Sequence, residues 1–133
     1  MRQSMSTIKA PGDIAVNVRS FARSLRAENL SDRTQETYLE SVNQFARFLA
    51  DSGMPVDVAN IRREHVESWI DYLLQNWKPA TANNRFRGLQ RFFGWLVGEG
   101  EIKESPMARM KPPRVPEYAP PVLSEAQIKA LLN

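Results

Sequence analysis

No cysteine occurs among the 133 residues, which excludes a disulfide framework, a thiolate nucleophile and any cysteine-based zinc site. Histidine occurs once, at His65, and one imidazole cannot build a multi-histidine metal site. No apolar run approaches the roughly 20 residues that cross a bilayer. The start, Met1 to Thr7, is polar and lacks the apolar core of a signal peptide. No segment sustains the apolar–polar alternation of a half-buried strand. There is no glycine-rich phosphate loop and no nucleophile elbow. What remains is the expectation of a soluble, all-α protein with neither metal nor cofactor. Its expected address is the cytoplasm, whose reducing conditions suit a chain without cysteine.

What is present is ordinary in amount and uneven in placement. Hydrophobic residues make up 42% and charged residues 25%, with a net charge of +3 and a pI near 9.5. That excess is modest, so its distribution carries the information. From Lys78 to Gly98 the chain holds Lys78, Arg85, Arg87 and Arg91 and no acid. From Lys103 to Arg114 it adds Lys103, Arg109, Lys111 and Arg114 against Glu104 alone. The middle instead carries Asp51, Asp57, Glu64, Glu67 and Asp71. Positive charge gathered toward one half points to a polyanion on one side of the molecule.

Four amphipathic stripes follow a polar tail at residues 1–12. Asp13 offers a carboxylate cap, and Ile14, Val18, Phe21 and Leu25 form the first stripe, which ends near Glu28 and Asn29. Ser31 or Asp32 opens the second, with Tyr38, Val42, Phe45 and Leu49, and Gly53 and Pro55 stop it. Asp57 to Ile61 reads as a linker. The third helix covers about Arg63 to Asn76, with Val66, Trp69, Ile70, Leu73 and Trp77 as its apolar face. Pro79 suits the first turn of a fourth, whose stripe is Ala82, Phe86, Leu89, Phe93 and Leu96, widened by Phe92 and Val97 and stopped by Gly98 and Gly100. Four helices with short connections imply a small bundle over residues 13–104.

Beyond Ile102 the composition changes. Six prolines make residues 105–121 an extended, stiffened interdomain linker. Ser124 to Gln127 then resembles a capping box, followed by Ile128, Leu131 and Leu132. Residues 122–133 are expected to open a further domain, the alternative being a short helix that packs back on the bundle.

The fourth helix carries the clearest functional pattern. At 100° per residue, Asn84, Arg87 and Arg91 fall opposite Ala82, Phe86, Leu89 and Phe93. Guanidinium and amide groups are suited to base edges in the major groove and to phosphates. Gly88 falls on the same outer side, where its missing side chain suits close approach of another surface. The helix start near Thr81 offers free N–H groups to a phosphate. On the second helix, Arg33, Thr34 and Thr37 occupy the first turns, but Glu36 and Glu40 lie beside them and would repel phosphates. His65, near the start of the third helix, fits a cap or a surface position. Glu64, Glu67 and Asp71 read as a solvated acidic face. Tyr38, Tyr72 and Tyr118 lack the basic neighbours that would activate a phenol. Trp69, Trp77 and Trp95 read as core, with Trp95 off the main stripe and suited to packing on a neighbouring segment.

In order, these pieces resemble one family. The run Ser31-Asp32-Arg33-Thr34-Gln35-Glu36-Thr37-Tyr38 with Val42, Phe45, Phe48 and Leu49 carries part of the resemblance. So do Lys78-Pro79-Ala80-Thr81-Ala82-Asn83-Asn84-Arg85 through Phe92-Phe93-Gly94-Trp95-Leu96, then Gly100-Glu101-Ile102 and Ser105-Pro106-Met107. Pro121-Val122-Leu123-Ser124 to Leu131-Leu132 complete it. The series resembles the SAM-like core-binding domain of phage integrases and Xer-type tyrosine recombinases over about residues 12–132.

The resemblance implies a four-helix SAM-like bundle that clamps one face of a recombination half-site while a C-terminal domain clamps the other. It implies duplex DNA as partner, self-association of the whole recombinase on DNA, and contacts from Arg33, Thr34, Thr37, Thr81, Asn83, Asn84, Arg87 and Arg91. Lys111 and Arg114 match a linker that passes near the backbone. The family's catalytic arginines, histidines, lysine and tyrosine lie in its C-terminal domain, and none maps onto this chain. The rival readings are a helical protein-interaction module and a helix-turn-helix regulator, for which neither a short turn between crossing helices nor a dimer interface stands out.

Overall fold

The structure is a computed structural model that describes residues 12–117. Helix α1 spans Ile14–Ala27, α2 Asp32–Asp51, α3 Arg63–Asn76 and α4 Pro79–Gly98, with one 3-10 turn at Val58–Asn60 and no strand among the described residues. The polar tail before Gly12 and the apolar stretch of residues 122–133 lie outside them.

Each boundary has a local cause. Asp13 Oδ1 accepts the Ala15 N–H at 2.7 Å and starts α1; Ser31 Oγ accepts the Thr34 N–H at 3.1 Å and starts α2. Such side-chain oxygens satisfy donors that the first turn leaves free. At α3 the cap is His65, whose Nδ1 accepts the Arg62 backbone N–H at 2.8 Å. Pro79 takes the first turn of α4, where its absent N–H costs nothing. Gly53, at φ 69°, turns the chain out of α2, a conformation glycine adopts without strain.

The apolar stripes meet in one core of phenylalanine and branched aliphatic residues. Phe45 touches Trp69 and Phe93, with ring centroids 5.2 and 6.2 Å away. Phe21 meets Phe92 edge-on at 5.2 Å. Trp95 packs half-buried against Phe21 at 5.4 Å and stacks on Phe92 at 6.1 Å. Helix α4 packs most extensively on α2, and also on α3, while α1 lies on α2. The α2–α4 crossing is close because Gly88 meets Ser41: a methyl built on Gly88 would stand 2.7 Å from Ser41 Cβ. Gly88 is therefore buried inside the bundle, not on the outer side where periodicity placed it.

Other expectations also change. Asp57 to Ile61 is no loose linker: Ile14 N–H donates to the Val56 carbonyl and Val58 N–H to the Gly12 carbonyl, both at 2.8 Å, and Val58 and Ile61 enter the core. Trp77 is 51% exposed, because its φ of −140° ends the helix and turns its side chain off the α3 face. Val97 is also exposed; Leu96, about 100° away around the helix, fills the core in its place. Met107 is 1% exposed within the core, so the proline-rich segment expected to leave the bundle at residue 105 stays on it further.

Candidate nucleic-acid interface

Three polar clusters occupy the outer side of the α2–α4 pair. The two helices run in opposite directions, since Arg85 reaches Gln44 while Arg91 reaches Tyr38. The stretch of α4 from Thr81 to Arg91 is about 15 Å long at 1.5 Å per residue. The first turns of α2, with Arg33, Thr34 and Thr37, lie toward its Arg91 end and away from Thr81.

The first cluster joins α4 to the chain beyond it. Arg87 Nε–H donates to Asn83 Oδ1 at 2.9 Å, and Asn83 Nδ2 donates to the Pro113 carbonyl at 3.0 Å. The Arg87 side chain is exposed, and no acid pairs with it among the described residues. Asn83, which the family resemblance implies as a DNA contact, has both its Oδ1 and its Nδ2 engaged within the protein.

The second cluster settles an acid. Arg85 Nη1 stands 3.3 Å from Glu40 Oε1, its Nε–H donates to Gln44 Oε1 at 3.0 Å, and Nη1 also donates to Asn84 Oδ1 at 3.3 Å. Of the two carboxylates expected to repel a phosphate beside α2, Glu40 is thus neutralised from α4, whereas Glu36 is exposed and in no ion pair among the described residues. Asn84 is exposed.

The third cluster withdraws Arg91. Its Nη2 donates to both Glu28 oxygens, at 2.7 and 2.8 Å, and its guanidinium lies over the Tyr38 ring, 5.4 Å from the centroid. The hydrogen bond and charge of Glu28 hold the Arg91 guanidinium above the ordinary arginine pKa, outweighing its partial burial. The expected outward pair of guanidiniums is therefore one outward group, Arg87, and one group turned onto α1.

On α2, Arg33 is exposed. Thr37 Oγ1 donates to the Arg33 carbonyl at 2.9 Å, and Thr34 Oγ1 accepts from Ser31 Oγ at 2.9 Å. Thr81 is half-buried beside a groove lined by Arg47, Phe48, Tyr72 and Trp77. Lys111 and Arg114 are exposed on either side of Pro113. Sequence reasoning missed Glu28 and Arg85 as partners. Their contacts join residues 63 and 41 positions apart, and no local pattern signals them. Among the described residues no group of three or more histidine, cysteine or acidic side chains could hold a metal, and no helix is long and apolar enough to cross a membrane.

The family model described as "Phage integrase, N-terminal SAM-like domain" matches residues 18–102. The tyrosine recombinase XerD of Shewanella oneidensis is 27% identical over 107 residues, covering 80% of this chain and 35% of the relative. The tyrosine recombinase XerC of Syntrophus aciditrophicus is 28% identical over 130 residues, covering 87% and 40%. The integrase from mycobacterium phage Brujita shares the fold, with a TM-score of 0.66 and 24% identity over 92% of this chain and 40% of that one. The chain spans between a third and about two fifths of the length of these relatives.

Proposed function

We propose, from the premise that this chain belongs to the phage integrase N-terminal SAM-like domain family, that it grips duplex DNA at a recombination half-site for a site-specific tyrosine recombinase or integrase. The observation that carries this reading is the division of charge on the α2–α4 face. Glu28 and Glu40 are neutralised by Arg91 and Arg85. Arg87, Arg33, Lys111 and Arg114 are left facing solvent. Glu36 stays exposed beside them with no ion pair among the described residues, but with Glu28 and Glu40 paired the unpaired cations of this face are in excess, which favours a polyanion. Arg87 and Asn84 offer the fork and amide suited to phosphates and base edges, and Thr81, Thr34 and Thr37 offer hydroxyls for backbone contacts.

In this reading the unit that binds DNA runs from residue 13 to at least Arg114. Affinity in isolation is set by phosphate contacts, at about 10⁻⁴ to 10⁻⁶ M near physiological salt. Strand cleavage and rejoining, and self-association on DNA, belong to the whole recombinase, and no catalytic role is assigned to this chain. Its histidine is spent as a helix cap.

The test is a fluorescence-anisotropy salt titration with a labelled duplex of mixed sequence. Replacing Arg87 and Arg91 together by alanine weakens binding and lowers the slope of log affinity against log salt by about 0.9 for each phosphate no longer neutralised. An unchanged slope would remove α4 from the interface. A protein-interaction module is the second reading, favoured by the exposed Tyr72, Leu74 and Trp77. It requires that no salt-dependent duplex binding appear even at low salt.

A further inference from the structure

The proline-rich segment leaves the bundle under control. Met107 is buried in the core and its backbone N–H donates to Ser105 Oγ at 3.0 Å. Ala108 and Met110 N–H groups close turns onto the Ser105 and Met107 carbonyls at 3.1 and 3.0 Å, and Met110 packs against the core. The chain touches the bundle again at Pro113, whose carbonyl accepts from Asn83 Nδ2. Oδ1 of the same amide accepts from Arg87 Nε. A carboxamide presents a donor and an acceptor together, and one turn of α4 separates Asn83 from Arg87. A single side chain thus ties an outward guanidinium to the departing chain. Pro112 and Pro113 each fix φ, so holding the Pro113 carbonyl sets the direction of Lys111 on one side and Arg114 on the other.

We propose that Asn83 is a positioning residue that sets the point where the linker departs and aims Arg87, so that Arg87, Lys111 and Arg114 meet one stretch of nucleic-acid backbone as a set. This rests on the DNA-binding reading above. It gives Asn83 a role different from direct base contact. Groups held in place before binding need less ordering on the DNA, so the linker contributes as part of the bundle and not as a loose tether.

The experiment compares Asn83→Ala and Asn83→Asp in the 133-residue chain, first without DNA. Asn83→Ala removes both hydrogen bonds. Tryptic cleavage after Arg114 is expected to accelerate about fivefold, the population change one ordinary hydrogen bond controls. Amide relaxation of Lys111, Arg114, Val115 and Glu117 should report faster motion, and the Arg87 Nε–H resonance should lose protection from exchange. Asn83→Asp keeps an acceptor for Arg87 but cannot donate to a carbonyl, so it should free the linker while the Arg87 resonance stays protected. That split separates positioning from general destabilisation, and Asn83→Asp carries the test if Asn83→Ala unfolds. Wild-type cleavage and relaxation in both variants would overturn the proposal.

The same chains are then titrated with a fluorescein-labelled duplex. Asn83→Ala should weaken binding about threefold and flatten the salt slope. A freed linker with unchanged affinity and slope would overturn the presentation of the three cations to DNA. Absence of wild-type binding would overturn the DNA-binding reading itself, while the free-chain result would still decide whether Asn83 holds the linker.

Discussion

Arg87 and Arg91 sit one turn apart on the same side of α4 and share every local property a sequence displays, yet they occupy opposite situations. Arg87 is held only through Nε by Asn83, four residues away on its own helix, and stays exposed. Arg91 is gripped through Nη2 by Glu28, from the end of α1, and covers the Tyr38 ring of α2. The difference teaches that helical periodicity fixes a direction but not what stands there. At Arg87 nothing from another helix stands in the way. At Arg91 two other helices do, and the charge is largely spent inside the molecule.

The contrast depends on how closely α4 approaches α2, and that distance is set at Gly88. A side chain there would collide with Ser41, and the Tyr38 backbone lies 3.6 Å from the position of its first carbon. Gly88→Val is expected to cost about 1–3 kcal/mol, the range for overpacking a well-filled contact, read as a lower urea midpoint. Ser41→Gly in the same chain should recover part of it. Because the Arg91 contacts run between helices and the Arg87 contact lies within one, the variant should release Arg91 from Glu28 and leave Arg87 on Asn83. A midpoint equal to wild type would mean that the crossing has room and does not set the difference.

Gly88 also marks the limit of what was legible in the chain. The helices were legible because their signals are local: Asp13 and Ser31 cap their own first turns, and α3 and α4 run Arg63–Asn76 and Pro79–Gly98 as their stripes and stops indicate. A small four-helix bundle followed from such signals, and its SAM-like character from the family that the ordered residue series resembles. Gly88 was misplaced because the buried sector of α4 is wider than its main apolar stripe and takes in Gly88 beside Phe92 and Trp95. Met107 was missed because proline-rich composition speaks of backbone stiffness and says nothing of one methionine entering the core. At the candidate site the residue types were legible and their pairing was not. Glu28 and Arg91 meet only once three helices have packed.

A smaller effect would sharpen the comparison from the acidic side. Glu28→Gln removes the charge that holds Arg91 while keeping the shape of its side chain. If partnership alone separates the two arginines, Arg91 becomes available to phosphate. Duplex binding should then tighten about threefold at low salt, with the salt slope steeper by up to about 0.9, the increment for one more neutralised phosphate. A slope unchanged from wild type would show that Arg91 faces away from the DNA for a reason other than Glu28.

The smallest effect on DNA binding is expected at Arg91 itself. Arg91→Ala deletes an ion pair whose side chains are 37% and 43% exposed, so water and salt screen most of its attraction. Pairs of that kind contribute about 0.2–1 kcal/mol, and the stacking on Tyr38 adds a comparable amount at an exposed position. A fall in the urea midpoint equivalent to about 1 kcal/mol is therefore expected. Its effect on DNA is expected to be slight, since the cation it removes is already matched by Glu28 and the exposed carboxylate left behind adds only weak, salt-screened repulsion. Single substitution of Arg87 should do the reverse, flattening the salt slope while leaving the urea midpoint near wild type. Equal losses of DNA affinity from the two substitutions would erase the distinction and make the row on α4 the continuous one that its spacing first suggests.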